Sequence, residues 1–88
     1  MSDVVVRLFA AATQAAGRSE VRLAAGRPLG ATVADLDAVA ADGGSGVELA
    51  SVVARSTFLV DGARRALSDP TPLLPGATVD VLPPFAGG

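Results

Sequence analysis

The 88 residues are enough for one small domain with a single core. Hydrophobic residues make up 50% of the chain, yet only three residues are aromatic and many are Ala, so that core must be built mostly from Val and Leu. A net charge of −2 argues against nucleic acid as a partner, no apolar run nears the ~20 residues that cross a bilayer, and His, Cys, Lys, Tyr and Trp are all absent.

Val4-Val5-Val6-Arg7-Leu8-Phe9 is a β-branched run of strand length, and its near-continuous hydrophobicity predicts a central strand buried on both faces. Residues 10–17 change to Ala and Gln, which favour one or two helical turns, and stop at Gly17, a residue suited to a helix C-cap. Glu20-Val21-Arg22-Leu23-Ala24 alternates polar and apolar, the mark of a strand with one wet face. Residues 25–30 read as a turn on their Gly and Pro content.

The main helix is predicted to open at Thr32 as N-cap, with Asp35 three residues on as an acidic variant of the capping box. Val33 and Leu36, followed by Val39 or Ala40, give it a core-facing stripe. Asp42-Gly43-Gly44-Ser45-Gly46 ends the helix; lacking a Lys-Ser/Thr ending and following a helix, it reads as a loop and not as a phosphate cradle. Leu49, Val52 and Val53 fit a short second helix over residues 47–54.

Ser56-Thr57-Phe58-Leu59-Val60 is a strand, Asp61-Gly62 a hairpin turn, and residues 64–67 a short returning strand. Arg64-Arg65 is either a solvated edge or a dock for an acidic partner. Residues 68–72 form a Pro-containing loop with Leu73-Leu74 plugging the core beneath it. Pro75-Gly76 then turns the chain into a last strand over residues 78–82.

That strand must end at Leu82, because Pro83 and Pro84 cannot donate to a sheet ladder. Beyond it, Pro83, Pro84, Phe85, Ala86, Gly87 and Gly88 form an extended tail. The tail reaches roughly 20 Å at ~3.3 Å per residue. It offers a stiff base, one bulky side chain and a thin tip bearing a carboxylate, a shape suited to entering another protein's narrow site. We expect a domain over residues 1–82 and a tail over 83–88.

The missing residue types bear on chemistry. General acid–base catalysis near neutral pH draws on His or a shifted Lys or carboxylate, covalent catalysis on Cys, Lys or an activated hydroxyl, and soft metals on Cys or His. With carboxylates, arginines and hydroxyls alone, a self-contained enzyme, a metal site and a bound cofactor are not expected. The acidic Met1-Ser2-Asp3 start shows no basic region of a secretory signal, and the lack of disulfides agrees with a cytoplasmic protein away from membranes.

One long helix cannot cover both faces of five strands, so the sheet should be mixed with one face open. Arg7 and Leu59 are candidates for that open face. Placing the first and last strands side by side buries the two most apolar runs together, in the order 2-1-5-3-4. This is the α+β arrangement of the ubiquitin-like β-grasp fold, with one main helix and one or two short ones.

The ending Val79-Asp80-Val81-Leu82-Pro83-Pro84-Phe85-Ala86-Gly87-Gly88 resembles that of the MoaD/ThiS family of sulfur carriers, and most of all the molybdopterin synthase small subunit, whose members typically end in Pro-Pro-Val-Ala-Gly-Gly. Val6-Arg7-Leu8-Phe9-Ala10-Ala11-Ala12 resembles the family's first strand and short helix, Ala31-Thr32-Val33-Ala34-Asp35-Leu36 the opening of its main helix, and Leu74-Pro75-Gly76 its last turn. Two positions depart from the pattern: Phe85 replaces Val, and Ala77 stands where Asp is common.

The resemblance implies that a ubiquitin-activating-type (MoeB-like) enzyme, using ATP and Mg²⁺, adenylates the Gly88 carboxylate. A persulfide relay then displaces AMP to leave a thiocarboxylate. The large subunit (MoaE-like) finally receives the tail and uses its sulfur to build molybdopterin. Gly87 and Gly88 would pass a tight channel, and Phe85 would either anchor the partner or fold onto its own sheet. A carrier for thiamin, cysteine or another metabolite, a ubiquitin-like protein modifier, and an inert binding domain are the alternatives.

Overall fold

The computed structural model describes residues 3–42 and 46–84. Five strands and three helices follow one another as β1 (Asp3–Leu8), α1 (Ala11–Ala16), β2 (Glu20–Ala24), α2 (Leu29–Asp42), α3 (Gly46–Val53), β3 (Thr57–Val60), β4 (Ala63–Arg64) and β5 (Thr78–Leu82). They build one mixed sheet in the order β2-β1-β5-β3-β4. β1 and β5 run parallel at its centre, and the other pairings are antiparallel. This is the ubiquitin-like β-grasp arrangement.

Strand alternation sets the two faces apart. Val4, Val6 and Leu8 of β1, Val21 and Leu23 of β2, Phe58 and Val60 of β3, and Val79 and Val81 of β5 all point to the helix side and are buried. Leu29, Val33 and Leu36 of α2, Leu49 and Val53 of α3, and Ala12 and Ala15 of α1 close over them. Among the described residues, the other face carries no helix. The expectation that β1 is buried on both faces is therefore corrected: it is central, but Val5 is half-buried and Arg7 exposed. A β-branched residue satisfies the strand at Val5 without needing full burial there.

Local chemistry decides several boundaries. Gly17 takes a left-handed φ of 73° and donates from its N–H to the Thr13 carbonyl at 2.9 Å, ending α1. Asp61 (φ 50°) and Gly62 (φ 84°) give the two left-handed residues that a two-residue hairpin turn demands. Asp61 also ties the hairpin to β5, accepting from the Thr78 N–H at Oδ1 (2.9 Å) and donating its own N–H to the Thr78 carbonyl (2.8 Å).

Tertiary contacts decide others. α2 begins at Leu29, three residues before the Thr32 cap read from the sequence. Thr32 is buried within the first turn, and its hydroxyl donates back to the Pro28 carbonyl at 3.2 Å. Asp35 meets Arg27 at 3.3 Å instead of closing a capping box. Pro28 is bridged to Pro72, and the Leu73 N–H donates to the Arg27 carbonyl at 2.8 Å, so a neighbouring loop fixes the entry to this helix.

Gly30 lies against that loop: a Cβ there would stand 2.9 Å from the Leu67 carbonyl oxygen. Leu73 fills the core at 1% exposure whereas Leu74 is 73% exposed, so one leucine of the predicted pair does the plugging. The returning strand β4 is two residues long, shorter than the predicted 64–67. Ala77 is buried beside Leu73 and Val79, and its carbonyl accepts from the Val5 N–H at 3.0 Å.

Candidate functional site

The site is organised by the end of β5. Val79 and Val81 are fully buried, and β5 is hydrogen-bonded along both edges, to β1 on one side and β3 on the other. A strand held this way fixes the direction in which the chain leaves it. Pro83 is buried and Pro84 exposed, so the chain comes to the surface between the two prolines. Phe85, Ala86, Gly87 and Gly88, singled out from the sequence, lie outside the described residues.

Around this exit the open face of the sheet presents ordered rows of side chains. Thr57 pairs with Leu82, and β1 runs parallel alongside with Leu8 opposite Val81, which brings Phe9 next to Leu82. Phe9 is 39% exposed and Leu82 half-buried. One row further in, the registers align Glu20, Arg7, Asp80, Leu59 and Arg64 across all five strands. Arg7 and Leu59, the two residues nominated for the open face, stand in this row.

At its centre Arg7 grips Asp80 with two hydrogen bonds, Nε to Oδ1 at 2.6 Å and Nη2 to Oδ2 at 2.9 Å. The hydrogen bond and the charge of Asp80, with a smaller contribution from Glu20, raise the Arg7 pKa further above its already high value. The guanidinium also lies 5.8 Å from the centre of the Phe9 ring, within reach of a cation–π contact. The Asp80 side chain is 12% exposed and that of Arg7 50%, so the pair is a fixed surface feature and not a buried switch.

Asp80 and Phe9 were passed over in the sequence reading. The signal for Asp80 was available: in a strand whose Val79 and Val81 face the core, an aspartate between them lies on the other face and needs a cation. Phe9 gave no comparable signal, because its position past the strand end matters only once β5 is beside it. Among the described residues, no cluster of three or more carboxylates is placed to hold a metal ion. No helix is long and apolar enough to cross a membrane, again among the described residues. Among the described residues, the arrangement offers surface recognition around a chain exit, with no nucleophile–base pair beside it.

No protein-family model matches the sequence, and no curated protein does. Solved structures match over nearly the whole chain. SAMP1 of Haloferax volcanii, a crystal structure, is 26% identical with a TM-score of 0.67, and the alignment covers 98% of this chain and 99% of that one. The HVO 2177 protein of the same organism, solved in solution, is 23% identical with a TM-score of 0.72, over 99% of this chain and 87% of that one. A protein of Pyrococcus furiosus provisionally named molybdopterin converting factor, subunit 1, is 21% identical with a TM-score of 0.73, over 97% and 100%. The β-grasp fold is common to them all.

Proposed function

We propose that this chain is a ubiquitin-like sulfur carrier of the MoaD/ThiS kind, whose working group is the Gly88 carboxylate. The observation that carries this reading is the combination of a Pro83-Pro84-Phe85-Ala86-Gly87-Gly88 ending with a root locked into the centre of the sheet. The reading is supported by composition as well. A chain without Cys cannot carry sulfur as a persulfide on a side chain, which leaves its terminus as the carrier position. The likeness to a protein named as a molybdopterin converting factor subunit is a further support, at the level of the fold.

In this reading an adenylating partner, using ATP and Mg²⁺, joins the Gly88 carboxylate to AMP with loss of pyrophosphate. A carboxylate oxygen is a poor leaving group and AMP a good one, so the acyl carbon becomes open to a sulfur nucleophile. A persulfide attacks and AMP leaves; a thiol then cleaves the sulfur–sulfur bond, and the thiocarboxylate stays on Gly88. The recipient is the large subunit of a molybdopterin synthase, and every catalytic group other than the sulfur belongs to a partner. Gly87 and Gly88 serve by having no side chain: they pass a narrow channel and leave the reacting carbonyl open.

The test is reconstitution with a ubiquitin-activating-type enzyme, ATP, Mg²⁺ and a persulfide source, followed by intact mass spectrometry. The expected product has a single oxygen replaced by sulfur at the terminus. Gly88→Ala, or one residue added after Gly88, keeps the circular dichroism spectrum and abolishes the exchange. Normal exchange in either variant would sink the assignment. The second reading, a protein modifier joined through Gly88 to lysines of other proteins, is favoured by the likeness to SAMP1, a small archaeal modifier protein. Branched Gly-Gly remnants on cellular proteins, without the sulfur exchange, would establish it instead.

A further inference from the structure

β2 is an outer strand of the sheet and pairs with β1 alone. The Leu8 N–H donates to the Ser19 carbonyl at 2.8 Å, and this bond sets the alternation of the β1–β2 ladder. Continued along the register, Val6–Val21 and Val4–Leu23 are the pairs that exchange hydrogen bonds. Glu20, Arg22 and Ala24 therefore turn their N–H and C=O groups away from β1, toward the outer edge. Among the described residues, no backbone partner meets them there.

The side chains along this edge carry charge. Glu20, Arg22 and Ala24 are exposed on the open face, while Val21 and Leu23 are buried on the core side. Neither Glu20 nor Arg22 lies in a salt bridge among the described residues. Charged side chains on an outer strand ordinarily discourage an added one. Here the two charges are of opposite sign and stand two positions apart, which admits one register of β2 against itself.

In an antiparallel pairing of two β2 strands, outward-turned residues must meet outward-turned residues, so the two-fold axis passes through a residue. Centring on Glu20 or on Arg22 sets like charge against like. Centring on Leu23 leaves both charges without an opposite. Centring on Val21 sets Glu20 against Arg22 on both sides of the axis and Val21 against Val21.

We propose that the protein forms a two-fold dimer through β2 in this last register, joining two five-strand sheets into one. Each Glu20–Arg22 pair exchanges both of its main-chain hydrogen bonds, and the two side chains meet on the open face. Charges then alternate without a break from Asp80 and Arg7 through Glu20 to Arg22 of the second copy. β5 lies two strands in from the joined edge, so the chain exit at Pro83 takes no part in the contact. The dimer does not depend on the sulfur reading.

The test is sedimentation equilibrium of the full chain, with amide hydrogen exchange read by NMR. A dimer is expected whose Glu20 and Arg22 amides gain protection as concentration rises toward about 1 mM. Arg22→Glu and Glu20→Arg each set like charges opposite one another, and each is expected to weaken the dimer about tenfold or more with an unchanged circular dichroism spectrum. Glu20→Arg/Arg22→Glu restores opposite charges in the same register and is expected to recover association. A monomeric protein at about 1 mM, or concentration-dependent protection centred outside residues 20–24, would overturn the proposal. Full dimerisation of Arg22→Glu, or a swapped variant that associates no better than either single change, would overturn it as well.

Discussion

At the scale of single residues, the carboxylates of this protein are held in contrasting ways. Asp37 on α2 has an oxygen buried without a hydrogen-bond partner, and desolvation raises its pKa. Its ionised form is thus disfavoured by folding, a cost present at neutral pH and relieved as pH falls through its raised folded value. Asp69 is the reverse. Hydrogen bonds from Thr71, aided by Arg65, lower its pKa, so its contribution is present above the ordinary carboxylate value and fades only below it. Carboxyl carbon NMR should show Asp37 titrating above about 3.9 and Asp69 below it. Asp37→Asn, which removes the disfavoured charge, should raise stability at pH 7 and lose that advantage as pH falls through the raised Asp37 value, measured by urea unfolding.

The Arg7–Asp80 pair makes a second residue-level prediction from the unequal exposure of its members. Removing Arg7 leaves a carboxylate that is only 12% exposed without its cation, whereas removing Asp80 leaves a guanidinium that is half in water. Arg7→Ala should therefore lower the urea midpoint more than Asp80→Ala does. Equal losses would mean that the pair contributes through packing alone.

At the scale of elements, what the sequence discloses depends on how far away the deciding contact lies. The limits of β5, the stop at Gly17 and the Asp61-Gly62 hairpin were legible because glycine and proline act on their own backbone. The start of α2 was not, because Pro28, which receives the Thr32 hydroxyl, is bridged to a loop more than forty positions on, at Pro72. Leu73 and Leu74 are chemically the same, and only the path of that loop sends one inward. The Arg7–Asp80 pair spans 73 positions and could not be seen before the parallel register of β1 and β5 was known. The ending on which the proposed chemistry rests is a pattern of residue types, and its last four residues lie outside the described ones.

Gly30 gives the prediction for this scale. It lets the first turn of α2 lie against the Leu67 carbonyl, and a methyl group there would sit 2.9 Å from the backbone oxygen. Gly30→Ala normally favours a helix, yet here it should destabilise by about 1–3 kcal/mol, because backbone must shift to make room. Thermal unfolding checks the sign. A stabilised Gly30→Ala would mean that the contact yields without cost.

At the scale of the whole molecule, the division of labour between the sheet's two faces is the main result. One face is consumed in building a core without Trp, Tyr or Ile. The other is left to a charged row and to the apolar residues around the exit at Leu82.

The central position of β5 also has a consequence for how the protein is made. β1 and β2 can pair early, and β3 can fold back on β4, but within the sheet these two pairs are joined only through β5. Its contacts with β1 are among the most distant in the chain, 73 positions apart for Arg7 and Asp80, and pairings of that span form late. A partly synthesised or locally unfolded chain would expose two raw sheet edges and hold no rigid root below Pro83. The ordered exit at Pro83 therefore forms only once β5 is seated in the sheet.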